Sequence, residues 1–188
     1  MQCFQYFPTN IWFGNLDLDN DRLKKVIKDF TKSQENVVKS NRGGYQGHDF
    51  NDEVWCNTIA SSIPHLEEKP FDAVKIFSWV NVNLYSNYNH RHSHFNTSNF
   101  LSGVYYVSAP ENSGKIRFYD PRPWMHETPD NVYFHGGHLY YSIQPKEGMV
   151  IFFPPWLEHD VEPNESNKER ISIAFNVQVD GYPDSINT

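Results

Sequence analysis

Histidines recur at every second position in the stretch 87–96, whose sequence is N-Y-N-H-R-H-S-H-F-N. In an extended chain, residues two apart point to the same side of the backbone. His92 and His94 can therefore direct both imidazoles toward one point. Imidazole binds iron, zinc, copper and nickel, so these ligands alone do not identify the metal. The spacing predicts a metal site whose third ligand comes from another part of the chain.

The best candidate for the distant ligand is His159, which ends the apolar run G-M-V-I-F-F-P-P-W-L-E-H. Farther along, Arg170 opens the run R-I-S-I-A-F-N. If the two runs form an antiparallel hairpin, Arg170 lies near His159 and can bind a carboxylate through two hydrogen bonds. Ser172 shares the face of Arg170 and can add a hydroxyl group. A salt bridge of Arg170 with Glu165 or Glu169 is the alternative.

The first third of the chain is predicted to contain two helices. Asp19 or Asn20 can cap the first, and the second begins near Asn51 or Asp52. Apolar residues repeat at helical spacing in both, namely Leu23, Val26, Ile27 and Phe30 in the first and Trp55, Ile59, Ile63 and Leu66 in the second. Residues 4–18 are predicted to form two short strands. The polar stretch 31–50, which contains a pair of glycines, is predicted to be a loop.

From Ala73 onward, β-branched and aromatic residues alternate with polar ones, which is typical of strands. After this first long strand, further strands are predicted at 99–109, 114–119, 139–143, 148–154 and 170–179. Helices followed by many strands indicate helices packed outside a β-sandwich or barrel. The long irregular stretch 121–138 is either a functional loop such as a lid or a loop without a role. Within that stretch, Arg122, Trp124 and His126 are placed where they could meet a substrate.

Length and charge limit the function further. The chain has 188 residues, enough for one domain, and its formal net charge of −7 argues against an extended nucleic-acid or anionic-membrane surface. No long apolar run predicts a membrane span, and the first residues lack the pattern of a signal peptide. The two cysteines, Cys3 and Cys56, match no disulfide or zinc-finger spacing. A cytoplasmic protein is therefore expected.

Taken together, longer motifs make the chain resemble the Fe(II)/2-oxoglutarate-dependent oxygenases. It is most similar to a family of oxygenases of uncharacterised substrate from bacteria and phages, distantly related to prolyl 4-hydroxylases. The resemblance covers nearly the whole chain. The motifs are F-P-T-N-I-W at 7–12, S-N-R-G-G-Y-Q at 40–46, W-V-N-V-N at 79–83, H-R-H-S-H at 90–94, L-S-G-V-Y-Y-V at 101–107, S-G-K-I-R-F-Y-D-P-R at 113–122, and the two runs that contain His159 and Arg170.

The resemblance implies a mainly β, α+β fold: a double-stranded β-helix, also called a jelly roll or cupin-like barrel, with flanking helices. It implies one oxygenase domain over 1–188, with a helical support region at 1–70 and the barrel at 71–180. By position, His92 and His159 match the two histidines of the usual set of two histidines and one carboxylate. Arg170 and Ser172 match the group that binds the distal carboxylate of 2-oxoglutarate.

One position departs from the family pattern. Where the usual motif has Asp or Glu, this chain has His94. Either His94 completes a three-histidine site, or a carboxylate arrives from another strand, for which Asp120 is the obvious candidate. His90 could replace His94 if the register is shifted, and Asp160 is expected to face solvent or to support His159.

The resemblance also implies Fe(II) and 2-oxoglutarate as cofactors and a dioxygenase that hydroxylates an unidentified substrate, releasing succinate and CO2. Cosubstrate or substrate contacts are expected from barrel-facing residues, namely Tyr85, Asn81, Asn83 and Tyr105 or Tyr106. Two alternatives stay open. One is a cupin-like three-histidine metalloenzyme without 2-oxoglutarate, which gives Arg170 no role. The other is a jelly-roll binding module without catalytic activity.

Overall fold

The structure is a computed structural model that describes residues 8–64, 73–95, 98–122 and 139–180. Strands and helices follow one another in the order β1 Trp12–Asn15, α1 Asn20–Ser33, β2 Asn41–Arg42, β3 Tyr45–His48, α2 Glu53–Ser61, β4 Ala73–Asn83, β5 Tyr88–His92, β6 Leu101–Ser108, β7 Ile116–Tyr119, β8 Tyr140–Ile143, β9 Met149–Phe153, β10 His159–Val161 and β11 Arg170–Asp180. Neither described helix is long and apolar enough to cross a membrane.

The strands form two sheets in which every pairing is antiparallel. The larger sheet has the strand order β1-β9-β6-β11-β4-β3, and the smaller one has the order β2-β5-β10-β7-β8. The inner faces of the sheets meet in an apolar cluster that includes Tyr106, Phe118, Phe153 and Leu157. Two facing antiparallel sheets with flanking helices agree with the predicted barrel.

The strand β11 shows why one end of the barrel interior can be polar. Its Ile171, Ile173, Phe175 and Val177 belong to the core under the helices. The residues between them point to the opposite side, because side chains alternate along a strand. Those nearest the start of the strand are Arg170, Ser172 and Ala174, and all three line an internal cavity. The alternation R-I-S-I-A-F-N thus gives one strand an apolar outer face and a polar inner face.

The helices pack on the outer face of the larger sheet through the predicted apolar positions. Leu23 and Ile27 of α1 and Trp55 and Ile59 of α2 are all buried there. Asp19 caps α1 by accepting a hydrogen bond from the Arg22 backbone N–H at 2.9 Å.

A single aspartate ties the two helices together. Asp52 caps α2 by accepting from the Trp55 N–H at 3.0 Å, and it also forms a bidentate ion pair with Arg22 at 2.7 and 2.8 Å. The ion pair holds the start of α2 against the first turn of α1. Both helices were predicted from the sequence. Leu66, the last apolar position predicted for the second helix, lies outside the described residues.

Two expectations about the fold are wrong. The stretch 31–50 is not a continuous loop, because α1 continues to Ser33 and the stretch contains β2 and β3. These strands are short and polar, so only their pairing with β5 and β4 defines them. The strands that carry His159 and Arg170 also do not form a hairpin. β10 belongs to the smaller sheet and β11 to the larger one, so the two residues face each other across the barrel.

Candidate metal centre

Three imidazoles meet at one end of the barrel. His92 ends β5, His159 begins β10, and the two residues are directly paired in the smaller sheet. His94 lies in the loop that follows β5. One ligand atom from each ring lies within 4.8 Å of the other two, and the Nε2 atoms of His94 and His159 are 3.3 Å apart. Nitrogen ligands about 2 Å from a metal, at roughly right angles to one another, lie about 3 Å apart. The spacing therefore suits a single ion.

Backbone hydrogen bonds fix which nitrogen of the His92 and His159 rings faces the centre. Nδ1 of His92 lies 2.6 Å from the carbonyl oxygen of His90, and Nδ1 of His159 lies 3.0 Å from that of Leu157. A carbonyl can only accept, so each Nδ1 carries the hydrogen. Nε2 is then left with its lone pair, which is the form that binds a metal.

The loop that carries His94 is held from both sides. The backbone N–H of His94 donates to the carbonyl of Pro155 at 2.8 Å, and the carbonyl of His94 accepts from Asn99 Nδ2 at 3.0 Å. Pro155 lies in the turn before His159, so the segments that carry two of the three imidazoles are connected directly. The His94 ring also packs against Trp79, with the ring centroids 5.3 Å apart.

All three imidazoles are kept neutral. Burial lowers the pKa of His92. Burial also lowers the pKa of His94 to about 3, with smaller contributions from the neighbouring His92 and Lys39, which disfavour a second positive charge. Burial, followed by the two neighbouring histidines, holds the pKa of His159 well below its usual range. Neutral imidazoles can bind a cation without first losing a proton.

The remaining predicted ligands lie outside this group. The ring of His90 is exposed and contacts Tyr88 edge-on. Asp120 is not part of the described ligand group and pairs with Arg122, whose Nε and Nη2 lie 2.9 and 2.6 Å from its carboxylate. Asp160 is buried and points to the other side of β10. There it accepts from Arg117 at 2.7 and 2.6 Å and from the Tyr119 hydroxyl at 2.6 Å.

A cavity extends from the three histidines into the barrel and ends at Arg170. The empty space between its lining residues, part of which is open solvent, is about 490 Å³. Arg170 is only 1% exposed. Its Nη1 donates to the carbonyls of Ser113 and Glu162, whereas its Nη2 is buried without a partner among the described residues. The salt bridges considered for Arg170 with Glu165 and Glu169 are absent from the described ion pairs.

The turn before β7 allows the contact between Ser113 and Arg170. Gly114 has φ +86°, and a Cβ there would lie 2.5 Å from the Glu162 carbonyl oxygen and 2.9 Å from Arg170 Nη1. Any other residue would therefore displace one of the groups that hold the guanidinium. The glycine of the motif S-G-K-I-R thus serves to orient Arg170.

Other polar groups of the cavity are also without partners. Ser172 and Tyr106 line it, and no described residue forms a hydrogen bond with either hydroxyl group. Burial raises the pKa of Tyr106 to about 12, so its phenol is a neutral donor. Asn81 lines the same wall, and its Oδ1 is buried without a described partner. Asn83 is 2% exposed and completes this polar wall.

One sequence expectation about barrel-facing residues needs correction, and the alternative between Tyr105 and Tyr106 is resolved. Tyr85 follows β4 instead of lying on it, and its side chain is 64% exposed and does not line the cavity. Of the two tyrosines on β6, Tyr105 points to α1 and donates to Asn20 Oδ1 at 2.8 Å, so Tyr106 is the one that faces the cavity. Trp124 and His126 lie outside the described residues, and Arg122 is exposed beside Asp120.

The sequence interpretation missed three residues of the cavity wall, namely Trp79, Ser40 and Asn89. Trp79 could have been found from the alternation on β4, because it shares a face with Asn81 and Asn83. Ser40 and Asn89 lie on short polar segments, where the sequence shows no comparable alternation.

The residues present fit both groups that the family resemblance implies. Three neutral imidazoles, of which His92 and His159 have their Nε2 atoms oriented by hydrogen bonds at Nδ1, suit a divalent first-row metal such as Fe(II). At the other end of the cavity, unpartnered donors on Arg170, Ser172 and Tyr106 suit a carboxylate. 2-Oxoglutarate carries only hydrogen-bond acceptors at neutral pH, so these donors match its chemistry.

Solved structures with the same fold include prolyl hydroxylases and a protein with nickel and 2-oxoglutarate bound. A prolyl 4-hydroxylase from Pseudomonas putida has 12% identity and a TM-score of 0.62, with 92% of this chain and 94% of that chain covered. A viral collagen prolyl hydroxylase from Paramecium Bursaria Chlorella virus-1, in complex with 2-oxoglutarate, has 17% identity, a TM-score of 0.59 and coverage of 92% and 96%. HygX from Streptomyces hygroscopicus, with nickel and 2-oxoglutarate bound, has 9% identity, a TM-score of 0.63 and coverage of 90% and 83%. These similarities confirm the predicted double-stranded β-helix.

Sequence comparison identifies the family. No curated protein matches the chain. The model of the family described as "Putative 2OG-Fe(II) oxygenase" matches residues 77–176, which is more than half of the chain and contains the three histidines and Arg170. The protein therefore belongs to the 2OG-Fe(II) oxygenases, enzymes that depend on Fe(II) and 2-oxoglutarate.

Proposed function

We propose that this oxygenase holds Fe(II) with His92, His94 and His159, binds 2-oxoglutarate through Arg170, and hydroxylates an organic substrate. The observation that carries the proposal is the occurrence of two complementary sites in one cavity. One end has three convergent neutral imidazoles, and the other has a buried guanidinium with an unpartnered Nη2. A three-histidine enzyme without 2-oxoglutarate would have no use for this guanidinium.

The protein itself would position the metal and 2-oxoglutarate and enclose them away from bulk water. The carbonyls of His90 and Leu157 keep the Nε2 lone pairs of His92 and His159 directed at the metal. The free Nη2 of Arg170 would donate to the distal carboxylate of 2-oxoglutarate, and the hydroxyls of Ser172 and Tyr106 supply further donors. Fe(II) and 2-oxoglutarate held by these residues would supply the activation of dioxygen, in which one oxygen atom goes to the substrate and the other to succinate with release of CO2.

Apolar rings shield the centre from bulk water. Phe153 lies against His159 with ring centroids 4.7 Å apart, and Trp79 covers one side of His94 at 5.3 Å. Such a lining protects reactive species from solvent. The proposed role of Phe153 and Trp79 is therefore to keep bulk water away from the metal centre.

The identity of the substrate does not follow from the fold. The structural relatives include prolyl hydroxylases and a HygX complex with hygromycin B, so proteins of this fold take both peptides and small molecules. The lack of an extended nucleic-acid surface and a cytoplasmic location stay predictions from net charge and cysteine spacing.

The proposal is tested with purified protein loaded anaerobically with Fe(II). We expect one iron per chain, binding of 2-oxoglutarate in a calorimetric titration, and formation of succinate on admission of air. His159→Ala should reduce iron binding at least about 100-fold, since it removes a ligand outright. His90→Ala is the matched control and should retain iron. Full iron binding by His159→Ala, or no binding of 2-oxoglutarate by the loaded protein, would refute the proposal.

A further inference from the structure

The cavity has an unusual balance of charge. Among the described residues that line it, Arg170 is the only charged side chain, and none is a carboxylate. Neutral imidazoles bring no charge to a metal, whereas the common set of two histidines and one carboxylate brings one negative charge. The site proposed here therefore has one negative charge fewer than the usual one.

Among the described residues, carboxylates near the centre do not replace the missing charge, because arginines already pair with them. Glu158 accepts from Arg91 Nε at 2.9 Å, and Asp160 is bound by Arg117. These pairs lie on the outer face of the smaller sheet, since neighbouring side chains on a strand point to opposite sides. Asp120 is paired with Arg122.

The consequence is a positive charge that 2-oxoglutarate does not offset. Fe(II) brings two positive charges and Arg170 one, while 2-oxoglutarate supplies two negative ones, so one positive charge is left in the cavity. A charge in a poorly solvated site is strongly unfavourable without a partner. The loaded site is thus predisposed to take up one more negative charge.

A lysine at the rim strengthens this tendency. Lys39 precedes Ser40, which lines the cavity. Ser40 is fixed to β5, because its carbonyl accepts from the His90 N–H at 2.8 Å and its hydroxyl from Asn89 Nδ2 at 3.2 Å. Lys39 is exposed and forms no ion pair within the described part of the chain. Because Lys39 adjoins Ser40, its charge lies next to that part of the cavity wall.

From this balance we infer that the substrate carries a carboxylate that sits close to the metal, next to 2-oxoglutarate and on the side of Lys39. The inference rests on the proposed function, and specifically on His94 as the third ligand. The attraction for a carboxylate is confined to the cavity, because the chain as a whole has a formal net charge of −7 and would repel anions elsewhere. A neutral substrate, or a cationic one, would leave the excess charge in place.

The experiment uses Ni(II)-loaded protein saturated with 2-oxoglutarate and matched pairs of small probes, acetate with acetamide and N-acetylglycine with N-acetylglycinamide. Binding is measured by calorimetry, independently of turnover. We expect each acid to bind at least about 10-fold more tightly than its amide, as one additional charge–charge contact in a partly buried site implies. Equal binding of acid and amide, or no binding of any probe, would overturn the inference.

Two variants of one residue separate charge from shape. His94→Asp restores the usual negative ligand, so the preference for acids should fall to about 2-fold or less while nickel and 2-oxoglutarate still bind. His94→Asn has the same size without the charge and should retain the preference. A preference that persists in His94→Asp would contradict the inference.

Lys39 provides a test that leaves the metal ligands unchanged. Lys39→Gln should weaken binding of the acids about 2- to 5-fold and leave the amides unaffected. Lys28→Gln, an exposed position on α1, is the matched control and should change neither. A wild-type protein that binds nickel but not 2-oxoglutarate would refute the proposed function. A protein that binds both but shows no preference for acids would refute only this inference.

Discussion

Each metal-facing imidazole depends on groups that the histidine motif itself does not reveal. Backbone carbonyls set the tautomer of His92 and His159, and Pro155 anchors the loop of His94. The side chain of Arg170 likewise depends on two carbonyls that take up Nη1 and leave Nη2 free. For these residues, the hydrogen bonds already formed at Nδ1 of the two histidines and at Nη1 of the arginine determine which atoms are left to bind a metal or a ligand.

Arg170 allows a sharp test, because 2-oxoglutarate can be compared with 2-oxobutyrate, which lacks the distal carboxylate. In Arg170→Met we expect the Kd of 2-oxoglutarate to rise about 100-fold, in line with the ~2–5 kcal/mol cost of removing one partner of a buried charge pair. The Kd of 2-oxobutyrate should change less than about 3-fold. Calorimetry with the Ni(II)-loaded protein measures both values. An equal loss for both ligands would show that the substitution disrupts the site generally and would count against the assigned role.

At the scale of elements, the strand β10 is the one that fixes the position of His159. It is only three residues long, yet it must hold His159 between β5 and β7. On its outer face, Arg117 and Tyr119 of β7 bind Asp160, which is 7% exposed. These charge-assisted hydrogen bonds fix β10 in register, and with it the direction of His159.

Asp160→Asn should therefore weaken both folding and metal binding. Loss of the charge should lower the free energy of unfolding by about 1–3 kcal/mol and raise the Kd for Co(II) about 10-fold, with a changed visible spectrum of the bound ion. Glu158→Gln is the matched control, because its pair with Arg91 is exposed, and it should cost less than about 1 kcal/mol. A Co(II) affinity and spectrum unchanged in Asp160→Asn would exclude a positioning role.

Elements with strong alternation were predictable, and those defined by pairing were not. The alternation of β4 and β11 and the apolar stripes of α1 and α2 identify those elements from the sequence. β2, β3 and β5 are short and polar, so their own residues do not distinguish them from loops. The sheet to which β10 belongs also depends on long-range pairing, which is why the expected hairpin with β11 was wrong.

The same limit applies to the candidate site. The R-x-S pattern could be read directly, because Arg170 and Ser172 follow the two-residue period of β11. The spacing of His92 and His94 also predicted convergent imidazoles, although β5 ends at His92 and His94 lies in the loop that follows. Tyr85 was misplaced because β4 ends at Asn83, before that period reaches it. The alternation of β4 places Trp79 on the face of Asn81 and Asn83, whereas its contact with the loop residue His94 is shown by no local pattern.

At the scale of the whole molecule, function and stability are placed in different layers. Among the described residues, the core between the helices and the larger sheet consists mainly of apolar side chains, such as Leu23, Ile27 and Phe175. The interior between the sheets combines an apolar cluster with the polar cavity. The apolar layer can therefore support the unpartnered polar groups that the site requires.

This arrangement makes the stability of the metal-free protein depend on pH. The pKa of His94 lies at about 3 in the folded state, below the value of about 6.5 expected in the unfolded chain. The unfolded state therefore binds more protons below pH 6.5, and the free energy of unfolding falls as pH decreases. Between pH 7.5 and 5, His94 should account for a loss of roughly 1–2 kcal/mol, with further losses from His92 and His159.

Denaturation with urea at the two pH values measures this loss. His94→Asn should reduce the pH dependence, while His90→Asn, an exposed histidine on the same segment, should leave it unchanged. Equal stability of the wild-type protein at pH 7.5 and pH 5 would contradict the burial of neutral imidazoles.

The most direct measurement is anomalous X-ray diffraction at the iron edge from crystals grown anaerobically with Fe(II) and 2-oxoglutarate. We predict a single anomalous peak bonded to the Nε2 atoms of His92, His94 and His159, with the distal carboxylate of 2-oxoglutarate on Arg170. An iron atom bonded to a carboxylate such as Asp120 in place of His94, or a peak away from His92 and His159, would contradict this account.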